Sequence, residues 1–394
     1  MIEIGTTQFW RATLALCLGS FMVFANVYVT QPLLPTLAAE FEISPLKASW
    51  SFTVTTLTLG LSLLFFGPLS DALGRTRLMI ASMVGVVICG VALSLVTSFE
   101  QLFLLRAIQG VCLAGLPAIA IAYMGDEFHQ KAVMVAVGLY ISGNTIGGIG
   151  GRLIGGFVGE LLGWQDVFVV MSLMSACCLA VFIYLLPPSH QFTAKPLRPK
   201  GILLDIVRHL QNPLLLLACL IGGFNFFIFI NQYSYATFLL AAAPYHLSAS
   251  LLGMLFLTYL SGTIGSAISG RLSLKYTQPV VIAMGTMCIM IGSLVTLIPS
   301  ILAIVVGFLI NAFGFFVAHS TASSWVSRHA KSARATASSL YLVFYYLGAS
   351  VGGFYLHPFW QFAGWKGIVL GSLCVLTLTF ILAVVLQCRF NKPQ

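Results

Sequence analysis

The sequence predicts an all-α membrane protein: twelve transmembrane helices in two six-helix pseudo-symmetric repeats. Three observations predict it. Hydrophobic residues make up 59% of the 394 and charged residues only 7%, where a soluble domain carries about 25% charged residues. Mean hydropathy is +0.99. Apolar runs long enough to cross a bilayer, about 20 residues each, recur along the whole chain. Landmarks of the first half then return, in register, in the second.

The runs lie at about 12–37, 47–69, 77–97, 101–125, 132–157 and 164–186, then at 213–241, 248–270, 279–298, 301–326, 333–357 and 363–388. Runs of this length read as helices, because barrel strands alternate over about ten residues. Arg11 precedes the first run, as in a signal peptide. That run continues to about Pro35, too far for a short signal core, so it reads as a retained span.

Orientation follows from the basic residues. Arg11, Arg75, Arg77, Lys131, Lys195, Arg198, Lys200, Arg208, Arg271, Lys275, Arg328, Lys331, Arg334, Arg389 and Lys392 fall on one side. Lys47 and Lys366 fall on the other, and Arg106 and Arg152 lie within spans. Both termini are therefore expected in the cytoplasm. The net charge of +9 reads as lipid topology, not nucleic-acid binding. All six tryptophans (10, 50, 164, 325, 360 and 365) lie near run ends, as an interfacial aromatic belt requires. The nine cysteines all fall in apolar runs without a Cys-x-x-Cys pair, which suits buried thiols better than disulfides or metal ligands.

The longest connection, 187–212, opens with Pro187-Pro188 and divides the chain into six-helix halves, 1–186 and 213–394. Gly147, Gly151 and Gly163-Trp164 recur 201 residues later as Gly348, Gly352 and Gly364-Trp365, and Leu139-Tyr140 recurs as Leu340-Tyr341. Gly67 has its counterpart in Gly270. Parallel repeats of this kind place a substrate site at their interface near the bilayer midplane.

Between the second and third runs stands Gly67-Pro68-Leu69-Ser70-Asp71-Ala72-Leu73-Gly74-Arg75-Thr76-Arg77, read as a compact charged loop. Gly67 is expected to let a helix end pack closely, Gly74 to permit a left-handed turn, and Asp71 with Arg75 to latch neighbouring helix ends. The pattern Gly-x-Leu-x-Asp-x-x-Gly-Arg resembles the loop between helices 2 and 3 of the major facilitator superfamily of transporters. The resemblance covers essentially the whole chain and implies the major facilitator fold. It also implies that Arg75 meets Asp126 or Glu127, at the end of span four, to close an inner gate. Ala72 departs from the basic residue usual there.

Span four carries Leu102-x-Leu104-x-Arg106-x-x-Gln109-Gly110, which resembles the Arg-bearing motif of proton-linked members. Span five reads Gly138-x8-Gly147-x3-Gly151-Arg152-x2-Gly155-Gly156 and is similar to the signature of the drug-exporter branch, with Arg152 in place of proline. Glycines four apart form a flat face for close helix contact. The ten carboxylates all lie at span ends or in loops. His319 is the mid-span imidazole, suited to carry a proton or to pack in the core. The resemblance implies a cavity lined by spans one, four, seven and ten, whose polar residues are Asn26, Gln31, Arg106, Asn225, Asn231, Gln232, Asn311 and His319. Asn225 and Gln232, seven apart, share a helical face.

These residues give the expectation of a monomeric inner-membrane carrier exporting a small organic molecule in exchange for protons. Uptake or uniport of a small organic anion is one alternative, and a transporter-like membrane sensor another. Nothing implies a metal, a cofactor or a nucleic-acid partner. An enzyme is not expected, given the lack of a paired-carboxylate, Cys/His or HExxH constellation in the spans, nor is ATP-driven pumping without a partner ATPase, given the lack of a Gly-x4-Gly-Lys-Ser/Thr loop. Two arginines deep in a bundle without an intramembrane carboxylate are costly, so an anionic group on the substrate is expected.

Overall fold

The computed structural model describes residues 1–189, 192, 199–330 and 333–390, with the side chains of 199, 200, 202, 334, 335 and 390 excepted. Lys195, Arg198, Lys331 and Lys392, counted above for orientation, lie outside the described residues, as do the side chains of Lys200 and Arg334. Spans 1 to 6 are Thr7–Glu40, Pro45–Leu73, Arg75–Ser94, Phe99–Glu127, Gln130–Leu161 and Trp164–Leu185. Spans 7 to 10 are Pro213–Ala241, Ala249–Lys275, Gln278–Val295 and Ile301–His329.

The last apolar stretch, Thr336–Arg389, is 54 residues long, and a straight helix of that length would reach about 80 Å, far beyond a bilayer core of about 30 Å. It is instead two helices. Ala363 (φ −144°, ψ 21°) and Gly364 (φ 54°, ψ −132°) are non-helical, and the glycine takes the left-handed region that a side chain would resist. The Tyr355 hydroxyl donates to the Gly371 carbonyl at 3.3 Å across 16 residues, so the chain folds back on itself. Spans 11 and 12 lie on either side of this reversal, which brings the crossings among the described residues to twelve.

Contacts divide the chain into Met1–Leu197 with Ser248–Met254, and Arg198–Leu247 with Leu255–Gln394. In the first unit, spans 1 and 5 meet along a row of glycines. A Cβ on Gly143 would come within 2.7 Å of the Cys17 carbonyl oxygen, and one on Gly147 within 2.5 Å of that of Phe21. Gly151 and Gly155 sit closer still, on Ala25 and Val29. Both rows advance by four residues in the same direction, so the helices run parallel in register. In the second unit Gly348 lies on the Gly223 carbonyl and Gly352 on that of Phe227. The sequence repeat therefore reappears as a repeat in packing: where lipid offers no hydrophobic drive between helices, close backbone approach supplies the association.

Five expectations need correction. The stretch 67–77 is not a loop: helix continues through Pro68 to Leu73, and only Gly74 (φ 102°) interrupts before span 3. Gly67 packs against nothing, since a Cβ there would meet no atom within 4 Å. Its place before Pro68 explains it, because the proline ring clashes with a preceding Cβ in helix. Gly138 also faces open space and does not belong to the packing row. The tryptophans form no uniform belt: Trp164, Trp325 and Trp365 turn into the protein. The Trp365 indole donates to Thr296 Oγ1 at 3.1 Å, and Trp325 stacks on His329 with centroids 4.2 Å apart. Finally, Cys177, Cys374 and Cys388 are exposed rather than buried.

Two smaller elements complete the fold. Ile2 pairs in parallel with Phe128, its N–H donating to Glu127 at 2.7 Å and its carbonyl accepting from His129 at 2.9 Å. A helix, Pro199–Gln211, occupies half of the long connection. Asn212 alone separates it from span 7, and its side chain caps that span by accepting from the N–H groups of Leu214 and Leu215 at 3.1 and 3.3 Å.

Candidate functional site

Span 1 does not run straight. Its first helix, Thr7–Tyr28, gives way to a 3-10 turn, Gln31–Leu33, and then to a short helix, Leu34–Glu40. Pro32 has no N–H to offer the Tyr28 carbonyl, and Pro35 none for Gln31, so the regular ladder stops here. Backbone acceptors freed inside a membrane bundle need donors from elsewhere.

Arg106 of span 4 donates to the carbonyls of the last helical turn before this break. Its Nη1 donates to the Asn26 carbonyl at 2.9 Å and its Nη2 to that of Val27 at 3.0 Å. Its Nε donates to the Ser51 carbonyl of span 2 at 3.0 Å, and Nη1 also reaches Gln109 Oε1 at 2.5 Å. The side chain is fully buried. Gln109 Nε2 donates to Asn26 Oδ1 at 3.3 Å, while Asn26 Nδ2 donates to Ser175 Oγ of span 6 at 2.9 Å. One guanidinium thus holds spans 1, 2 and 4 together, and Asn26 extends the network to span 6.

Arg152 of span 5 lies against the next residues of the same break. Its Nε donates to Gln31 Oε1 and its Nη1 to the Gly148 carbonyl, both at 2.9 Å. The guanidinium carbon sits 3.9 Å from the centre of the Tyr28 ring. A cation over a desolvated aromatic face gains about 2 kcal/mol or more. Both arginines reach residues 26–31 of span 1, at a common depth. Glu160 accepts from the Ser250 N–H at 2.9 Å.

At the far end of span 4, Arg75 bonds Asp71 at 2.9 Å, and its Nε pairs with Asp126. Its Nη1 reaches Ser70 Oγ at 3.3 Å, and the side chain is nearly buried. Glu127 is drawn elsewhere: its carboxylate accepts from Ser189 Oγ. Nearby, Tyr123 donates to the Pro187 carbonyl at 3.0 Å. Arg75 is thus paired with Asp126.

In the second unit the polar residues form rungs. Asn225 donates to Thr286 Oγ1 at 3.3 Å, and Gln232 to Ser293 Oγ at 2.9 Å. Asn311 Nδ2 donates to Gln232 Oε1 at 2.7 Å. Asn231 Nδ2 donates to the Ala349 carbonyl at 2.9 Å, tying span 7 to span 11. His319 Nδ1 lies 2.9 Å from the Tyr341 hydroxyl. Its ring stacks on Phe315 at 5.6 Å, with Tyr345 at 4.7 Å.

Several partners escaped the sequence reading. Ser175 completes the span 1 cluster, with no local signal in the sequence to mark it. Gly143 lies one step of four before Gly147. Thr286 and Ser293, seven apart, mirror the spacing of Asn225 and Gln232.

The sequence pattern of the Major Facilitator Superfamily matches residues 16–353. The inner membrane transport protein YnfM of Escherichia coli (strain K12) is 39% identical over 383 residues, which is 97% of this chain and 91% of that protein. The uncharacterized MFS-type transporter YybF of Bacillus subtilis (strain 168) is 36% identical over 368 residues, covering 93% and 91%. Among solved structures, that of the peptide transporter POT in complex with sulfate matches with a TM-score of 0.78, over 95% of this chain and 93% of that one, at 15% identity. At that identity the likeness concerns the fold alone.

Proposed function

The chain belongs to the Major Facilitator Superfamily, and on that premise we propose that it exports a small organic molecule in exchange for protons by alternating access. It is a multi-pass membrane transporter, not an enzyme. The observation that carries the export reading is Gly147, Gly151 and Gly155 of span 5 seated on span 1, three of the five glycines of the exporter signature, in which Arg152 replaces proline. One chain holds both repeats, which supports a monomer. The Lys/Arg distribution supports an inner-membrane protein with both termini in the cytoplasm.

Roles follow from the contacts. Arg106 has four N–H bonds committed to protein acceptors, so it braces the break in span 1. Arg152, with Gln31 and Tyr28, places a fixed positive charge beside that break and supports a substrate bearing a carboxylate or similar anion, bound through charge-assisted hydrogen bonds. His319, poised on Tyr341, serves the proton. The Arg75–Asp126 pair with Asp71 holds one gate state. Asn225, Gln232 and Asn311 fix the second unit internally.

Purified protein in proteoliposomes tests this reading with anionic, neutral and cationic compounds, each with and without an imposed pH gradient. Anion movement driven by the gradient and abolished by a protonophore is expected. Robust cation transport with which no anion competes would overturn the anionic substrate, and indifference to the gradient would overturn proton coupling. The Arg152 cluster equally favours a second reading, uptake or uniport of an organic anion, and the direction of gradient-driven flux separates the two.

A further inference from the structure

The connecting helix Pro199–Gln211 is amphipathic in an inverted sense. Leu203, Leu204, Val207 and Leu210 fall on one stripe at helical spacing, and they are 62%, 59%, 40% and 36% exposed. His209, on the opposite side, is 4% exposed and its Nε2 lies 3.3 Å from the Ala333 carbonyl. A helix lying on a protein in water turns its leucines inward and its imidazole outward. This one does the reverse, so the medium on its outer face is apolar.

We propose that this helix is an interfacial anchor, seated in the headgroup region of the leaflet on its own side, with anionic phospholipid as its partner. Its place in the chain requires proximity to that surface. Only Asn212 stands between it and span 7, and Asn212 is itself the cap of that span. The outer stripe therefore ends a few residues before a membrane-spanning helix begins. Arg208, at the stripe's flank, is exposed and only loosely paired with Asp205 at 3.4 Å. A basic side chain there complements anionic headgroups, while the leucines enter the acyl boundary to a depth of about 5–10 Å.

The test places an environment-sensitive NBD fluorophore on the stripe. Leu204→Cys is labelled in a full-length chain whose nine native cysteines are replaced by serine or alanine and whose thermal unfolding transition is retained. The labelled protein is set in nanodiscs with and without phosphatidylglycerol. Blue-shifted emission, quenched by lipids carrying a doxyl group near the headgroup, is expected, and phosphatidylglycerol should deepen the quenching. The same label at Asp205→Cys, on the inner side, should escape it. Val207→Cys repeats the test should Leu204→Cys fail to fold. Arg208→Gln should reduce the preference for anionic lipid about fivefold, as removal of one basic residue near a charged surface does. Quenching at position 204 by aqueous iodide but not by doxyl lipid overturns the proposal, because the face is then wet. Blue-shifted emission insensitive to both quenchers overturns it as well, because protein then covers the stripe.

Discussion

Replacing Arg106 with glutamine should destabilise the fold before it touches substrate recognition. The substitution removes the donors that reach the Ser51, Asn26 and Val27 carbonyls, at 2.9–3.0 Å, and the partner of Gln109 at 2.5 Å. Hydrogen bonds inside membrane bundles average about 0.6 kcal/mol and reach about 1.7, so loss of all four amounts to about 2–7 kcal/mol. The upper half of that range applies if the Asn26 and Val27 carbonyls, at the broken end of the first helix, find no replacement donor. Lysine at the same position should recover little: its three donors radiate from one atom and do not match a fork spread over three spans. Unfolding followed in detergent with a thiol-reactive dye, which reports exposure of buried Cys89 and Cys219, measures the difference. The reasoning fails if Arg106→Gln unfolds with the parent while anion transport alone is lost; Arg106 would then face the substrate.

Three further outcomes follow from the geometry. Asp126→Asn should cut transport about tenfold or more with normal expression, since about 1.4 kcal/mol between gate states shifts their ratio tenfold; unchanged transport would falsify the latch. Gly151→Leu should abolish function, because a side chain there meets the Ala25 backbone, whereas Gly138→Ala, facing open space, should change stability by no more than about 0.5 kcal/mol; equal effects at the two sites, by thermal unfolding and transport, would refute the row. His319→Gln should keep substrate counterflow yet abolish accumulation driven by a pH gradient, and retained accumulation would move the proton site elsewhere.

Composition and run length made the spans legible, because a lipid-facing helix must be apolar over its whole length. The reversal after span 11 was expected between about 357 and 363 and falls at Ala363-Gly364. Side-chain partners were less legible. Arg75 could meet either acid of Asp126-Glu127, which are adjacent in sequence; helix rotation and the approach of Ser189 separate them, and neither is written locally. Arg106 could serve substrate or proton coupling or be a structural arginine bonded to carbonyls, and backbone carbonyls carry no residue identity to decide between them. Gly67 was misread because a glycine before proline and a glycine at a helix contact look alike in one dimension.

The register of spans 1 and 5 limits how they can move. Four carbonyl-bearing positions of one helix, Cys17, Phe21, Ala25 and Val29, engage four glycines of the other at a matched interval. A slide of an ångström or two would drive flanking side chains into those carbonyls, and the next seating that restores the fit lies one interval away, about 6 Å along the axis at 1.5 Å per residue. The pair behaves like a rack meshed at a fixed tooth, with no intermediate stop. Spans 1 and 5 therefore travel as a single piece, carrying the bend in span 1 and Arg152 with them unchanged, and whatever rearrangement accompanies transport must be taken up at contacts that lack such a row.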